Sequence, residues 1–152
     1  DAPAHLADGL AGWPMVIDAT EEFYFKPEAG RVLTSPADET DTPPVDAQAE
    51  EIDVAIAADR VQPATTLEVR RITHRWAGLR SFLPDKMPVA GPDPAEPLFV
   101  WLAGQGGVGI MTSKAMVRAA AAAALQVDLP ADLVDCGVTA EALAPARLNP
   151  SP

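Results

Sequence analysis

Leu98-Phe99-Val100-Trp101-Leu102-Ala103 runs straight into Gly104-Gln105-Gly106-Gly107-Val108-Gly109 and then Ile110. The apolar run is too short for a helix and predicts a strand, Leu98–Ala103. The residues after the glycines, about 110–125, are rich in alanine and predict the strongest helix of the chain. Glycines between a strand and a helix let the backbone turn tightly and let another group approach closely. The start of a helix presents N–H groups that have no acceptor within it and carry partial positive charge, a setting that stabilises an anion. The alternative is a tight corner that uses glycine for packing alone.

Gly104–Gly109 matches G-x-G-x-x-G, and Asp128 follows about twenty residues on, where a dinucleotide-binding unit places its ribose-binding acid. That reading requires further parallel βα units after the turn. The residues beyond Asp128 contain no convincing series of them, so a complete Rossmann unit is not expected.

Towards the N-terminus the pattern is of strands. Residues through Gly12 show no clear period and lead into the fold. Met15–Ala19, Glu22–Lys26 and Arg31–Ser35 read as short strands, the last two joined through Pro27-Glu28-Ala29-Gly30 as a hairpin. Pro36 to Pro44 is polar and proline-rich and predicts a surface loop. Val45, Ala49, Ile52 and Ile56 recur at spacings of four, three and four, predicting a helix over about 46–60 that buries this face and ends before Pro63. Glu50, Glu51 and Asp53 in its early turns suit the helix dipole, with Arg60 towards the other end. Thr65–Arg75, rich in β-branched residues and arginine, predicts a strand. After the alanine-rich helix, which Pro130 limits, a short helix is expected near Thr139–Ala144. Clustered, mostly hairpin-linked strands with inserted helices predict an α+β fold with a largely antiparallel sheet.

Composition narrows the partners. At 152 residues and 48% hydrophobic content the chain can bury a core. Twenty-two acidic against eleven basic residues give a net charge of -11, a field that repels nucleic acid and anionic membrane surfaces. With Cys136 as the single cysteine no internal disulfide forms, and His5 and His74 lie in no metal-ligand spacing, so no metal site is expected. No apolar run is long enough to span a bilayer and no signal-peptide pattern opens the chain, which makes a cytoplasmic location the default expectation.

Three segments in order carry a family resemblance: Trp76-Ala77-Gly78-Leu79-Arg80, then Pro84-Asp85-Lys86-Met87-Pro88-Val89-Ala90-Gly91, then Leu98–Ala103 with Gly104–Ile110. Upstream stands Phe23-Tyr24-Phe25-Lys26-Pro27 with Gly30, and downstream Leu143-Ala144-Pro145-Ala146-Arg147-Leu148. The succession resembles glycine oxidases, D-amino acid oxidases and related FAD-dependent oxidoreductases. The resemblance covers roughly residues 15 to 125, with the tail similar to the family's closing pattern. It implies a substrate domain with an antiparallel sheet (about 13–100), a flavin-contacting turn and helix (about 101–128) and a tail (129–152). The nucleotide fingerprint of the FAD domain, near the N-terminus in that family, is missing here, so the chain reads as a C-terminal fragment.

The resemblance also assigns roles. Arg80 matches the arginine that clamps the substrate carboxylate, and a guanidinium suits this task because it stays charged and offers a two-pronged donor. The plainer reading is a structural arginine beside Arg70, Arg71 and Arg75. Tyr24 matches a tyrosine that in some relatives meets the substrate; a packed strand aromatic is the alternative. Gln105 stands where many relatives have histidine, and it can donate and accept hydrogen bonds but cannot titrate. Gly106, Gly107, Val108, Gly109, Ile110 and Met111 match the turn whose backbone lies against the flavin. Glycine oxidases carry arginine at the position of Gly107, a departure that leaves the substrate open. Trp76 and Trp101 are expected in the core, and Cys136, outside every motif, is not expected to bind flavin. The implied activity is oxidation of the C–N bond of an amino acid or secondary amine by hydride transfer to flavin, with no side chain named as catalytic. The alternative is a non-catalytic α+β binding module. Without an FAD-binding half the sheet and alanine-helix faces would be exposed, so association with that half or a homodimer is expected.

Overall fold

A computed structural model of the chain describes residues 7–148. They fall into two compact units, one ending at Leu79 and the other beginning at Arg80. The class is α+β, and the two small sheets are both antiparallel.

In the first unit a 3-10 turn, Ala7–Gly12, precedes a three-stranded sheet in the order β1 (Val16–Ile17), β2 (Tyr24–Glu28) and β3 (Arg31–Ser35). The expected hairpin is present, but its turn is tighter than the proline suggests. Glu28 pairs with Arg31, so Ala29 and Gly30 alone form the loop, with φ of 48° and 76°. Two successive left-handed residues match the twist of the strands they join. Pro27 lies inside β2, where β1 no longer pairs; β1 reaches only Tyr24 and Phe25. A proline without an N–H is tolerated at such an open edge.

The next helix, α1, spans Glu51–Ala64 and so begins some five residues later than the periodicity predicts. Its buried side is also different. Ala57 and Val61 are buried, whereas Val45 and Ile52 are exposed at 52% and 61%. The apolar residues before Glu51 precede the helix, so their spacing there has no helical meaning. Val61 packs with Phe23, Phe25, Val32 and Val69. Arg60 fastens α1 to the hairpin by donating to the carbonyls of Glu22 and Pro36, the latter at 2.9 Å. Pro63 sits within the last turn rather than beyond it, and the Thr65 hydroxyl takes the carbonyl of Val61 at 2.8 Å.

The strand expected at Thr65–Arg75 does not form. The segment has no strand pairing among the described residues, and from Arg70 to Phe82 every residue is exposed. β-branched residues favour a strand only where a neighbouring strand can take their backbone groups. Trp76, expected in the core, is 62% exposed and stands 5.4 Å, ring to ring, from His74.

In the second unit, β4 (Val89–Pro92) pairs with β5 (Val100–Ala103) in the register Val89↔Ala103 to Pro92↔Val100. β4 was absent from the expected elements. Its four residues include glycine and two-sided burial rather than alternation, which hides it from pattern reading. The loop between them is organised by Asp93, whose carboxylate accepts from the N–H of Ala95 (2.8 Å) and Glu96 (3.1 Å) and from the Trp101 indole (2.8 Å). Those bonds, the indole first, hold the Asp93 carboxyl below its ordinary value. Trp101 is therefore a half-exposed loop clasp and not the core residue expected.

The long helix, α2 (Gly109–Leu125), packs on both strands and buries Met116, Ala119 and Ala122. Small side chains let the helix sit close to β4, and the cluster is completed by Ala90, Leu133 and Leu143. α2 ends at Gln126, with φ of 55°, where the N–H groups of Gln126 and Val127 return to the carbonyls of Ala123 and Ala122. This is the Schellman closure with glutamine where glycine is usual. Two short helices follow, α3 (Ala131–Asp135) and α4 (Ala140–Leu143), the second capped by Thr139 onto the N–H of Ala142 at 3.1 Å. A 3-10 turn, Pro145–Leu148, closes the described chain.

Candidate functional site

The corner between β5 and α2 is built by two neighbouring segments of the second unit. Gly104 and Gly106 have φ of 73° and 53°, the left-handed region where a side chain is strained. Each also has a neighbour occupying the place of a Cβ. A Cβ on Gly104 would lie 2.6 Å from Leu83 Cγ, and one on Gly106 2.6 Å from Phe82 Cε1. The Gly106 N–H donates to the Ser81 carbonyl at 3.0 Å, so the chain from Arg80 to Leu83 is seated on the turn by backbone and side chains together.

That seating brings Arg80 to the turn. Its Cζ lies 5.0 Å from the centre of the Phe82 ring, within cation–π range. Its terminal nitrogen is 3.1 Å from where a Cβ of Gly107 would stand. Gly107 needs no left-handed conformation, so its lack of a side chain makes room for the guanidinium.

Next to this contact α2 begins. Val108 supplies no side-chain cap, and the first turn carries no acid. The hydroxyls nearest the helix start turn back to carbonyls, Thr112 to Val108 at 3.0 Å and Ser113 to Ile110 at 2.8 Å. The N–H groups of Gly109, Ile110 and Met111 therefore have neither an intrahelical acceptor nor a side-chain cap. Val108, Ile110 and Met111 are exposed, Ile110 at 96%. The structure thus places Arg80 and Gly106 to Met111 at one corner, with Gln105 beside Gly109, whose Cβ would come 3.1 Å from that of Gln105. Tyr24 belongs to the first unit, half-buried on β2, where its carbonyl accepts from the Thr34 hydroxyl at 3.2 Å. His5 lies outside the described residues, and no group of three or more His, Cys, Asp or Glu residues suited to a metal occurs among the described ones.

Another arginine of this unit carries contacts that its sequence pattern does not foretell. Arg147, in the tail, donates from Nε to Asp85 at 2.7 Å and from a terminal nitrogen to the Met87 carbonyl at 2.6 Å. The Arg147 bond, with the Met87 N–H, holds the Asp85 carboxyl below its ordinary value. Asp85 lies in the turn closed by the Lys86 N–H on the Leu83 carbonyl (2.8 Å), one step from the residues that fill the glycine corner. The proline- and arginine-bearing tail pattern was the available signal, but nothing in the spacing of two residues 62 apart marks them as partners.

A recess of about 490 Å3 in the first unit is lined by Glu51, Val54, Ile72, Thr73, His74 and Arg75. Its charges are already matched, Arg75 being paired with Glu51. No helix among the described residues is long and apolar enough to cross a membrane.

The sequence matches the family model of FAD dependent oxidoreductases (DAO) over residues 2–123, which takes in the hairpin, the whole glycine corner and most of α2. At the glycine corner β5 pairs antiparallel with β4, and among the described residues no parallel strand flanks it. A match over most of its length shows that the chain belongs to the FAD dependent oxidoreductase family, whose cofactor is FAD.

Proposed function

We propose that the corner formed by Arg80 and Gly106 to Met111 is the substrate- and flavin-facing site of an enzyme that oxidises the C–N bond of an amino acid or secondary amine. The observation that carries this reading is the Arg80 guanidinium lying against Gly107, immediately before an uncapped helix start. The corner suits an anionic planar group: three N–H groups end without a cap, the first turn of α2 carries no acid, and Val108, Ile110 and Met111 beside them are apolar and exposed. FAD, when bound, supplies the hydride acceptor for the carbon beside nitrogen, and the imine product is hydrolysed.

The chain's own part is to bind and orient. Arg80 holds the substrate carboxylate through paired N–H bonds. The N–H groups of Gly109, Ile110 and Met111 favour negative charge at the edge they face, which is worth most where it develops during reaction. Gln105 offers a hydrogen bond without titrating. The proposed site is confined to the second unit, and Tyr24 is left out of it.

FAD uptake is measured by titration, followed by turnover of a carboxylate-bearing amine and of its decarboxylated counterpart. Losing a charge-assisted bond worth about 1.5–3 kcal/mol, Arg80→Ala should raise KM for the carboxylate substrate about 10- to 100-fold and spare the simple amine. Equal effects on both reject the clamp. A folded chain that takes up no FAD supports the non-catalytic binding module instead.

A further inference from the structure

The last arginine of the chain lies outside the family match, which ends at residue 123, yet it is among the most heavily bonded side chains of the second unit. Besides Asp85 and Met87 it reaches the carbonyls of Pro88 (3.3 Å) and Ala144 (3.2 Å), and its side chain is only 17% exposed. The backbone around it is fitted to β4. A Cβ on Gly91 would stand 3.1 Å from Pro145 Cδ and 3.5 Å from the Ala144 Cα, so the tail lies flush on that strand.

We propose that Arg147 is a positioning residue that keeps the Arg80–Leu83 segment seated on the glycine corner, acting through Asp85 and the carbonyls of Met87 and Pro88. The contacts form a continuous series. Arg147 grips both ends of the 85–88 stretch. The Lys86 N–H closes that stretch onto Leu83, whose side chain fills the space over Gly104. Phe82 then covers Gly106, Ser81 accepts the Gly106 N–H, and Arg80 follows against Gly107. On the other side, Pro88 leads directly into β4, whose partner β5 carries the corner itself. Arg147 thereby fixes the approach of one segment to the other without touching the corner. That Arg80 is a carboxylate clamp rests on the function proposed above; the seating of its segment does not.

The test uses the full chain without added flavin. Amide hydrogen exchange of Gly106 reports the bond to Ser81, and that of Met116 and Ala119 reports the stability of the packed unit. In Arg147→Gln the Gly106 amide should exchange at least about tenfold faster relative to the two helix amides, and Arg147→Lys should recover part of the loss. Asp85→Asn should reproduce the effect and decides the matter if Arg147→Gln does not fold. Gly106 unchanged, or all three amides accelerated by one common factor, overturns the positioning role and leaves Arg147 a general stabiliser. FAD uptake and the Arg80→Ala substrate comparison address the functional reading separately, so each can fail alone.

Discussion

Replacing Gly106 by alanine should loosen the glycine corner. The added Cβ would stand 2.6 Å from Phe82 Cε1, 3.0 Å from Cδ1 and 3.3 Å from Cζ, and the backbone would have to hold φ at 53°. A left-handed L-residue costs about 1–2 kcal/mol. Displacing a packed ring adds about 1–3 kcal/mol, while the stiffer unfolded chain returns about 0.4–1 kcal/mol. The net loss is about 1–5 kcal/mol, a large share of a domain's usual stability of ~5–15 kcal/mol. Hydrogen exchange at the buried α2 amides of Ala119 and Ala122 measures it within the second unit. Phe82→Ala removes the ring, so the double variant should retain only the backbone part and be less destabilised than the sum of the singles by about 1–3 kcal/mol. Gly107→Ala is the control: its Cβ would meet only the long Arg80 side chain, and its effect should be below about 1 kcal/mol. A Gly106→Ala loss under about 0.5 kcal/mol, or strict additivity with Phe82→Ala, would refute the packing account of the corner.

Gln126→Gly should stabilise the second unit by about 1 kcal/mol, because the left-handed closure of α2 then lacks a strained side chain; thermal denaturation reads it. Ala29→Asn should strengthen the β2–β3 hairpin by up to about 1 kcal/mol, since Asn-Gly is the favoured pair for two left-handed turn residues, and exchange of the β3 amides checks it. Acid should release the tail. Arg147 lowers the Asp85 pKa beneath its ordinary value of 3.8, so this stabilisation is complete above that value and is lost as pH falls through the lowered one. An NMR titration of Met87 and Arg147 should show the loss in that window, and Asp85→Asn should abolish the step.

The strongest local signals in the sequence survived folding. The apolar run into glycines and the alanine-rich stretch formed β5 and α2 because strand and helix there are each decided by a few adjacent residues and then packed on one another. The Thr139 helix carried its own cap. The failures occurred where structure depends on a partner. Thr65–Arg75 had strand-forming residues but no strand to pair with among the described residues, and α1 buries Val61 because the hairpin packs there, in preference to the more hydrophobic Ile52. The Asp85–Arg147 pair joins residues far apart in sequence, and no periodicity encodes such a meeting.

The glycine corner shows how a motif and its cause can separate. Read as a string, Gly104, Gly106 and Gly109 invite a single ligand-based explanation. In the fold, the first two are required by Leu83 and Phe82, which occupy the space of their missing side chains, and by the left-handed backbone. The third relieves a contact with Gln105. Gly107 alone is adjacent to a charged group, and it is the glycine outside the G-x-G-x-x-G positions. The string therefore records how the Arg80–Leu83 segment is packed, and the chemistry follows from what that packing delivers: a guanidinium beside uncapped backbone donors. A substitution at Gly104 or Gly106 should disturb the seating of the Arg80–Leu83 segment as well as cost stability, whereas a bulkier residue at Gly107 should move Arg80 while the fold is kept.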